Sequence, residues 1–170
     1  MSEPSAAARG AAVRFLALAV AVALADQAVK ALIVRRLALG ETRPLLGSLL
    51  SLTRAANTGA AFGMFSWASA ALAAVGAVLV LALVVWGIRS AAAHPELLWP
   101  LALILGGALG NLLDRIVRGN VVDYLDLHFW PVFNLADSAL TVGVFWFALR
   151  MLLAPPAPRP DPTPPGEETE

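Results

Sequence analysis

The sequence predicts an all-α polytopic membrane protein with four transmembrane helices, a small β element at the membrane surface and a short interfacial helix. Of the 170 residues, 59% are hydrophobic and only 14% are charged, and the mean hydropathy is +0.74. Soluble domains carry about 25% charged residues, so this chain has too few to cover a surface in water. The composition therefore disfavours a soluble enzyme, a nucleic-acid binder and a disordered scaffold alike.

Four long uncharged or nearly uncharged runs locate the spans, because a charge in hydrocarbon is costly. Each is close to the roughly 20 residues that cross a bilayer. The runs cover about residues 13–32, 67–88, 97–113 and 133–153. We therefore expect a short amino-terminal tail, a four-helix membrane domain and a disordered Pro-rich tail, over residues 1–12, 13–153 and 154–170.

The first run resembles a secretory signal peptide in its apolar stretch, but Asp26, Lys30 and the following Arg35-Arg36 argue against cleavage. The segment between spans one and two is too polar to cross a membrane and too apolar to be a loop surrounded by water. Leucines and Ile33 around the Arg pair predict the short interfacial helix, and residues 48–54 have the composition of a strand.

Polar residues concentrate at one end of the predicted bundle. In any four-span bundle the ends of spans one and three share a membrane face with the beginnings of spans two and four. The polar residues at these four positions are Asp26, Lys30, Asn57, Thr58, Gly59, Asn111, Asp114, Arg115, Asn134 and Asp137. Asp123 lies in the short loop between the last two spans. Polar groups at membrane depth normally line a bundle interior or a water-filled cavity, so we expect a functional site near this face.

The chemistry open to such a cluster is narrow. The chain has no cysteine, which excludes disulfides, thiolate metal sites and a thiol nucleophile. Its two histidines, His94 and His128, stand apart, and neither G-x-S-x-G nor H-E-x-x-H occurs. What remains is a pair of aspartates that share one proton, one activating water and the other donating to a carbonyl oxygen. No metal or cofactor is expected.

Five blocks, in order, resemble those of bacterial lipoprotein signal peptidase, also called signal peptidase II, over about residues 13–153. They read Asp26-Gln-x-x-Lys30, Asn57-Thr-Gly-Ala-Ala-Phe62-Gly, Gly110-Asn111-Leu-Leu-Asp114-Arg115, Val121-Val122-Asp123-Tyr124 and Phe133-Asn134-Leu-Ala136-Asp137. The resemblance implies an aspartic endopeptidase whose catalytic pair is Asp123 and Asp137. Tyr124, where the family more often has Phe, is a mild departure.

The resemblance also implies partners and location. Members lie in the bacterial cytoplasmic (inner) membrane with both termini in the cytoplasm, and their site lies near the outer, periplasmic face, beside a small sheet and a surface helix. They cut diacylglyceryl-modified prolipoproteins before the lipidated cysteine, in contact with membrane lipid, and globomycin inhibits them. Lys+Arg and Asp+Glu are both 12, so no basic excess indicates a nucleic-acid partner. The distribution of Lys and Arg does not by itself decide the orientation.

Structural roles remain open for the supporting residues. Asp26 and Lys30 form either an ion pair of the scaffold or part of the site, and Asn57 with Gly59 either belongs to the site or caps helix two. We expect Asp114 and Arg115 to be part of the scaffold, with Arg115 bonded to the backbone of the site and to a carboxylate. Asn111 and Asn134 are expected to orient the catalytic groups or the peptide. We expect Asp126 and Glu41 to face water, and His128, Phe129 and Trp130 to form an interfacial anchor.

An ion- or proton-coupled small transporter and a non-enzymatic membrane subunit are the alternative functions.

Overall fold

The computed structural model describes residues 5–59 and 68–153. Within these ranges the elements are α1 (Ala6–Arg36), β1 (Thr42–Leu46), β2 (Leu50–Asn57), α2 (Ala68–Ala93), a 3-10 turn (Pro95–Leu97), α3 (Leu98–Arg118), β3 (Val121–Asp126) and α4 (Leu135–Leu152). Four helices are long and apolar enough to cross a membrane. The four predicted spans are therefore confirmed.

Helix α3 is the centre of the bundle and packs against the other three helices. Glycines allow this close packing: a Cβ at Gly106 would lie 2.7 Å from the carbonyl oxygen of Ala19 on α1, and one at Gly143 of α4 would lie 2.8 Å from that of Pro100. Small residues at helix contacts are typical of membrane proteins, where close backbone approach replaces the hydrophobic effect between helices. These contacts fix the positions of α1 and α4, which carry site residues, relative to α3.

The three strands form one antiparallel sheet in the order β1-β2-β3. Its register places Ala55 opposite Asp123 and Asn57 opposite Val121. Ile33 near the end of α1 packs in one buried cluster with Val122 and Tyr124 of β3. The sheet is thereby attached to the end of the bundle where α1 and α3 finish and α4 begins.

Three expectations need correction. Helix α1 begins at Ala6, so most of the predicted tail 1–12 is helical. The separate interfacial helix predicted around Arg35-Arg36 is instead the last turn of α1, because α1 continues without a break to Arg36 while Ile33 packs against the sheet. The loop that holds Asp123 is the strand β3. The predicted tail 154–170 lies outside the described residues.

Candidate active site

Lys30 is the centre of a buried ion-pair cluster between α1 and α3. Its Nζ lies 2.8 Å from Asp26 Oδ2 and 2.9 Å from Asp114 Oδ2, and it donates to Asn111 Oδ1 at 3.0 Å. All three charged side chains are fully buried. Because buried charges are tolerated only when they are paired and hydrogen-bonded, this cluster has one arrangement, and that arrangement joins the two helices.

The two carboxylates of this cluster also hold the elements that follow. Asp26 Oδ1 accepts from the backbone N–H of Ala136 at the start of α4, at 3.0 Å. Asp114 Oδ2 accepts from the backbone N–H of Val122 on β3, also at 3.0 Å. Each carboxylate therefore binds the backbone next to one member of the predicted catalytic pair. Asp26 holds the residue before Asp137, and Asp114 holds the residue before Asp123.

Asp123 lies on β3 and is almost completely buried, with 2% of its surface exposed. Its Oδ1 accepts from Asn134 Nδ2 at 2.7 Å, and its Oδ2 accepts from Asn57 Nδ2 at 2.9 Å. Burial raises the pKa of Asp123 to about 6, the hydrogen bond from Asn57 opposes this rise, and the nearby negative charge of Asp137 adds to it. A carboxyl group with this pKa keeps its proton to a higher pH than an ordinary aspartate does.

Asp137 occupies the first turn of α4, where the helix dipole favours a negative charge. Its Oδ1 accepts from Asn111 Nδ2 at 2.7 Å, and its Oδ2 accepts from the backbone N–H of Asn134 at 3.3 Å. In the reverse direction, Asn134 Oδ1 accepts from the backbone N–H of Asp137 at 2.9 Å. This reciprocal pair is a capping box, which fixes both side chains at the helix start.

The two aspartates are linked through asparagine amides. Asn134 Nδ2 donates to Asp123 and also to Asn111 Oδ1, the latter at 3.0 Å. Asn111 in turn donates to Asp137 and accepts from Lys30. One connected network thus runs from the buried ion pairs to both aspartates.

Asp137 also faces a cavity of about 330 Å³. The other residues that line it are Leu127, Phe129, Trp130, Phe133, Ser138, Thr141 and Val142. A largely apolar cavity with one aspartate in its wall, near one end of the bundle, suits a substrate that is apolar and brings a polar bond to that depth.

Most of the predicted site residues converge here, with two exceptions. Gly59 has φ 75° and donates its N–H to Asn57 Oδ1 at 2.8 Å, so it forms the turn after β2. The expected carboxylate contact of Arg115 is absent from the described residues: Arg115 donates to the carbonyl of Asn111 at 3.4 Å, its Nε is buried without a partner, and Arg118 pairs with Asp114 instead. Asn57 is the last residue of β2 and Gly59 has a positive φ, so Asn57 does not cap a helix.

Sequence reasoning missed Gln27 and Tyr124 as supporting residues. Gln27 Nε2 donates to the carbonyl of Gly110 at 3.0 Å and to Asp114 Oδ1 at 3.2 Å. The hydroxyl of Tyr124 accepts from the N–H of Leu135 at 3.1 Å, and burial raises the pKa of that hydroxyl to about 12. Both residues lie inside the sequence blocks that resemble the family, and this position was the only sign in the sequence that they support the site. Across residues 5–59 and 68–153, no group of three His, Asp or Glu side chains is arranged to hold a metal ion.

Comparison with known proteins identifies close relatives. A sequence model of the family described as signal peptidase (SPase) II matches residues 18–153. The lipoprotein signal peptidase of Brevibacillus brevis is 44% identical over 142 residues, which cover 82% of this chain and 94% of that protein. The lipoprotein signal peptidase of Pseudomonas aeruginosa is 41% identical over 146 residues, covering 81% and 86%.

Two solved structures, both described as bacterial membrane enzymes, share the fold. One superimposes with a TM-score of 0.76 at 31% identity and covers 82% of this chain and 92% of its own. The other has a TM-score of 0.73 at 32% identity, with 81% and 87% covered. The similarity favours a peptidase over a transporter or a non-enzymatic subunit.

Proposed function

The chain belongs to the signal peptidase II family, and we propose that it removes the signal peptide from diacylglyceryl-modified prolipoproteins, cutting before the lipidated cysteine. The observation that carries this proposal is the pairing of Asp123 with Asp137 through Asn134, beside the apolar cavity. An apolar substrate portion fits that cavity, while Asp137 in its wall and Asp123, linked through Asn134, supply acid and base.

We propose a two-aspartate mechanism in which Asp123 holds the proton and Asp137 is ionised at the start. Asp137 takes a proton from water as its oxygen adds to the scissile carbonyl, and Asp123 donates its proton to the carbonyl oxygen. The amide nitrogen then takes a proton from Asp137 and the C–N bond breaks, while one hydroxyl of the tetrahedral intermediate returns its proton to Asp123; the signal peptide leaves with a new carboxyl group and both aspartates regain their starting state. The raised pKa of Asp123, caused mainly by burial, supports this division of roles. Asn134 and Asn111 keep both carboxyl groups in position.

The lipid is proposed to be part of recognition. A diacylglyceryl group partitions into the bilayer and brings the attached peptide to the depth of the membrane surface. Phe129 and Trp130, which line the cavity, are 82% and 62% exposed in the isolated chain, as expected for side chains that contact lipid or a lipid-modified substrate. Globomycin should inhibit by occupying the same cavity.

The test is cleavage of a defined substrate by purified protein. Diacylglyceryl-modified prolipoprotein should yield a shortened band, and the same prolipoprotein with a free cysteine should be cut poorly or not at all. The matched control is Asp123→Asn protein purified in the same way, which excludes a contaminating protease. No cleavage of the lipidated form would refute the function, whereas equal rates on both forms would remove the lipid from recognition.

Topology follows from the same proposal. Both tails and the turn over residues 89–96 should lie in the cytoplasm, and residues 40–57 and 118–130 on the periplasmic side. The support is the even number of spans and the position of the sheet at the end of the bundle that bears Asp123. Cysteines introduced one at a time report accessibility, since the chain has none of its own. Labelling of residue 45 and of the C-terminus from the same side would contradict this topology.

A further inference from the structure

A second polar network crosses the sheet, apart from the proposed catalytic pair. The hydroxyls of Thr42 and Thr53 lie 2.9 Å apart, and Thr53 donates to Asp126 Oδ2 at 2.8 Å. Asp126, expected to face water, has only 17% of its side chain exposed. The hydrogen bond from Thr53 lowers the pKa of Asp126, so its carboxylate is charged and available as an acceptor. The network ends at the loop that follows β3.

His128 joins this loop to β2 and β3. Its backbone N–H donates to Asp126 Oδ1 at 2.8 Å, and its Nδ1 lies 3.5 Å from the same oxygen. Its Nε2 lies 3.2 Å from the hydroxyl of Ser51 on β2. His128 has φ 66°, a left-handed conformation that no other non-glycine residue adopts in the described part of the chain. Three contacts therefore hold one residue in an uncommon backbone conformation, which sets the direction of the chain after it.

The residues directly after His128 are Phe129 and Trp130, which form a wall of the cavity that also contains Asp137. Both rings are largely exposed, so they have little packing of their own to define their position. The backbone direction at His128 is consequently what places this aromatic wall relative to the proposed catalytic pair.

The order Ser, His, Asp resembles a hydrolytic triad, yet the geometry argues for a structural contact. Ser51 is 3% exposed within the central strand of the sheet. A nucleophile must reach the substrate carbonyl, and a hydroxyl enclosed in this way does not. The contact between Ser51 and His128 holds the loop in place.

We propose that His128 is a positioning residue that sets substrate affinity by placing the Phe129–Trp130 wall against the apolar group next to the scissile bond. This inference rests on the proposed function, in which that group is the diacylglyceryl-modified cysteine. His128 has no part in the proton transfers, because its side chain contacts Ser51 and Asp126 and neither member of the proposed catalytic pair. Its effect should therefore fall on KM, with kcat unchanged.

The test is steady-state cleavage of diacylglyceryl-modified prolipoprotein by His128→Gly. Glycine accepts the positive φ without strain but lacks the imidazole, so the loop loses the side-chain contacts with Ser51 and Asp126 and keeps only the backbone hydrogen bond to Asp126. We expect KM to rise about tenfold with kcat within about twofold of the parent protein. His128→Asn should recover part of the affinity, because Asn also tolerates positive φ and keeps a polar group near Asp126. The matched control is His94→Gly, at the opposite end of the bundle, where the ring contacts only the exposed Glu96 among described residues.

A double-mutant cycle tests whether His128 acts through the wall. If it does, His128→Gly should add little to the KM of Trp130→Ala, whereas independent roles would give multiplying effects. An unchanged KM in a normally folded His128→Gly protein, or multiplying effects in the cycle, would overturn the inference. Cleavage by the parent protein in the same assay keeps these outcomes separate from a failure of the proposed function, which would show as no cleavage by any of the proteins.

Discussion

Two pairs of aspartates lie at the same end of the bundle and differ in what stands between them. Asp26 and Asp114 are separated by Lys30, whose Nζ is 2.8 and 2.9 Å from their oxygens. Asp123 and Asp137 are separated by the amide of Asn134, which donates to Asp123 and caps the helix that bears Asp137. The first pair has a full positive charge as its partner, and the second has only amide and backbone N–H donors.

This difference assigns opposite roles to the same residue type. A lysine between two carboxylates offsets their mutual repulsion and occupies an oxygen of each. Neutral amides leave the repulsion between Asp123 and Asp137 uncompensated, so one proton shared between them relieves it. We therefore propose that the Lys30 cluster is a scaffold and that the amide-linked pair supplies the acid and the base.

The largest effect should come from the amide-linked pair. Asp123→Asn and Asp137→Asn each keep the shape and some hydrogen bonding but remove the titration, so each should reduce kcat at least about a hundredfold. The double variant should be no worse than either single one, because residues that act as one unit are not additive. The measurement is cleavage of lipidated prolipoprotein, with thermal unfolding as the control for folding. Normal turnover in either single variant would refute the mechanism.

The second effect concerns stability. Lys30→Met leaves Asp26 and Asp114 buried without their cation, which should cost about 3–5 kcal/mol of folding free energy. Thermal unfolding in detergent measures the loss, and whatever protein remains folded should keep measurable activity. Arg43→Met is the matched control, because it removes a cation from the exposed pair with Glu41, and its effect should be small. If Lys30→Met unfolds normally but cannot cleave, the cluster takes part in the chemistry.

A smaller and more specific effect should follow from Asn57→Ala. The hydrogen bond from Asn57 favours the charged form of Asp123, so its loss should raise the pKa of that carboxyl above about 6. If Asp123 must be protonated, kcat/KM falls as pH rises through this pKa, and in the variant that fall should occur at higher pH. Asn120→Ala is the control, since Asn120 contacts the carbonyl of Arg118. If Asp123 is instead the base, the limb on which kcat/KM rises with pH should move to higher pH and the falling limb should stay in place.

The smallest effect should come from the edge of the Lys30 cluster. Arg118 also pairs with Asp114, but its side chain is 30% exposed, whereas Lys30 is fully buried. Arg118→Gln should therefore lower the unfolding free energy by at most about 1 kcal/mol and leave kcat unchanged. Measuring it beside Lys30→Met tests whether burial, and not the number of ion pairs, sets the strength of the cluster.

Much of the site was predictable because of how polar residues are distributed along an apolar chain. The spans follow from the local cost of charge in hydrocarbon, and their alternating direction brings Asp26, Asn111 and Asp137 to one face before any contact is known. The role of Asp123 and Asp137 came from resemblance to a family. Residue type alone offered no way to separate them from Asp26 and Asp114.

The sequence by itself determined four spans, a one-sided polar cluster and a chemistry restricted to carboxylates. The tertiary structure decided which carboxylate meets which partner: β3 pairs with β2 so that Asn57 reaches Asp123 across 66 positions, and Asp26 reaches the N–H of Ala136 across 110. It also decided that Asp114 forms its ion pair with Arg118 and not with Arg115, and that His128 lies beside Ser51. Hydropathy depends on each segment alone, whereas these contacts depend on strand register and helix rotation, which are fixed only when distant segments pack together.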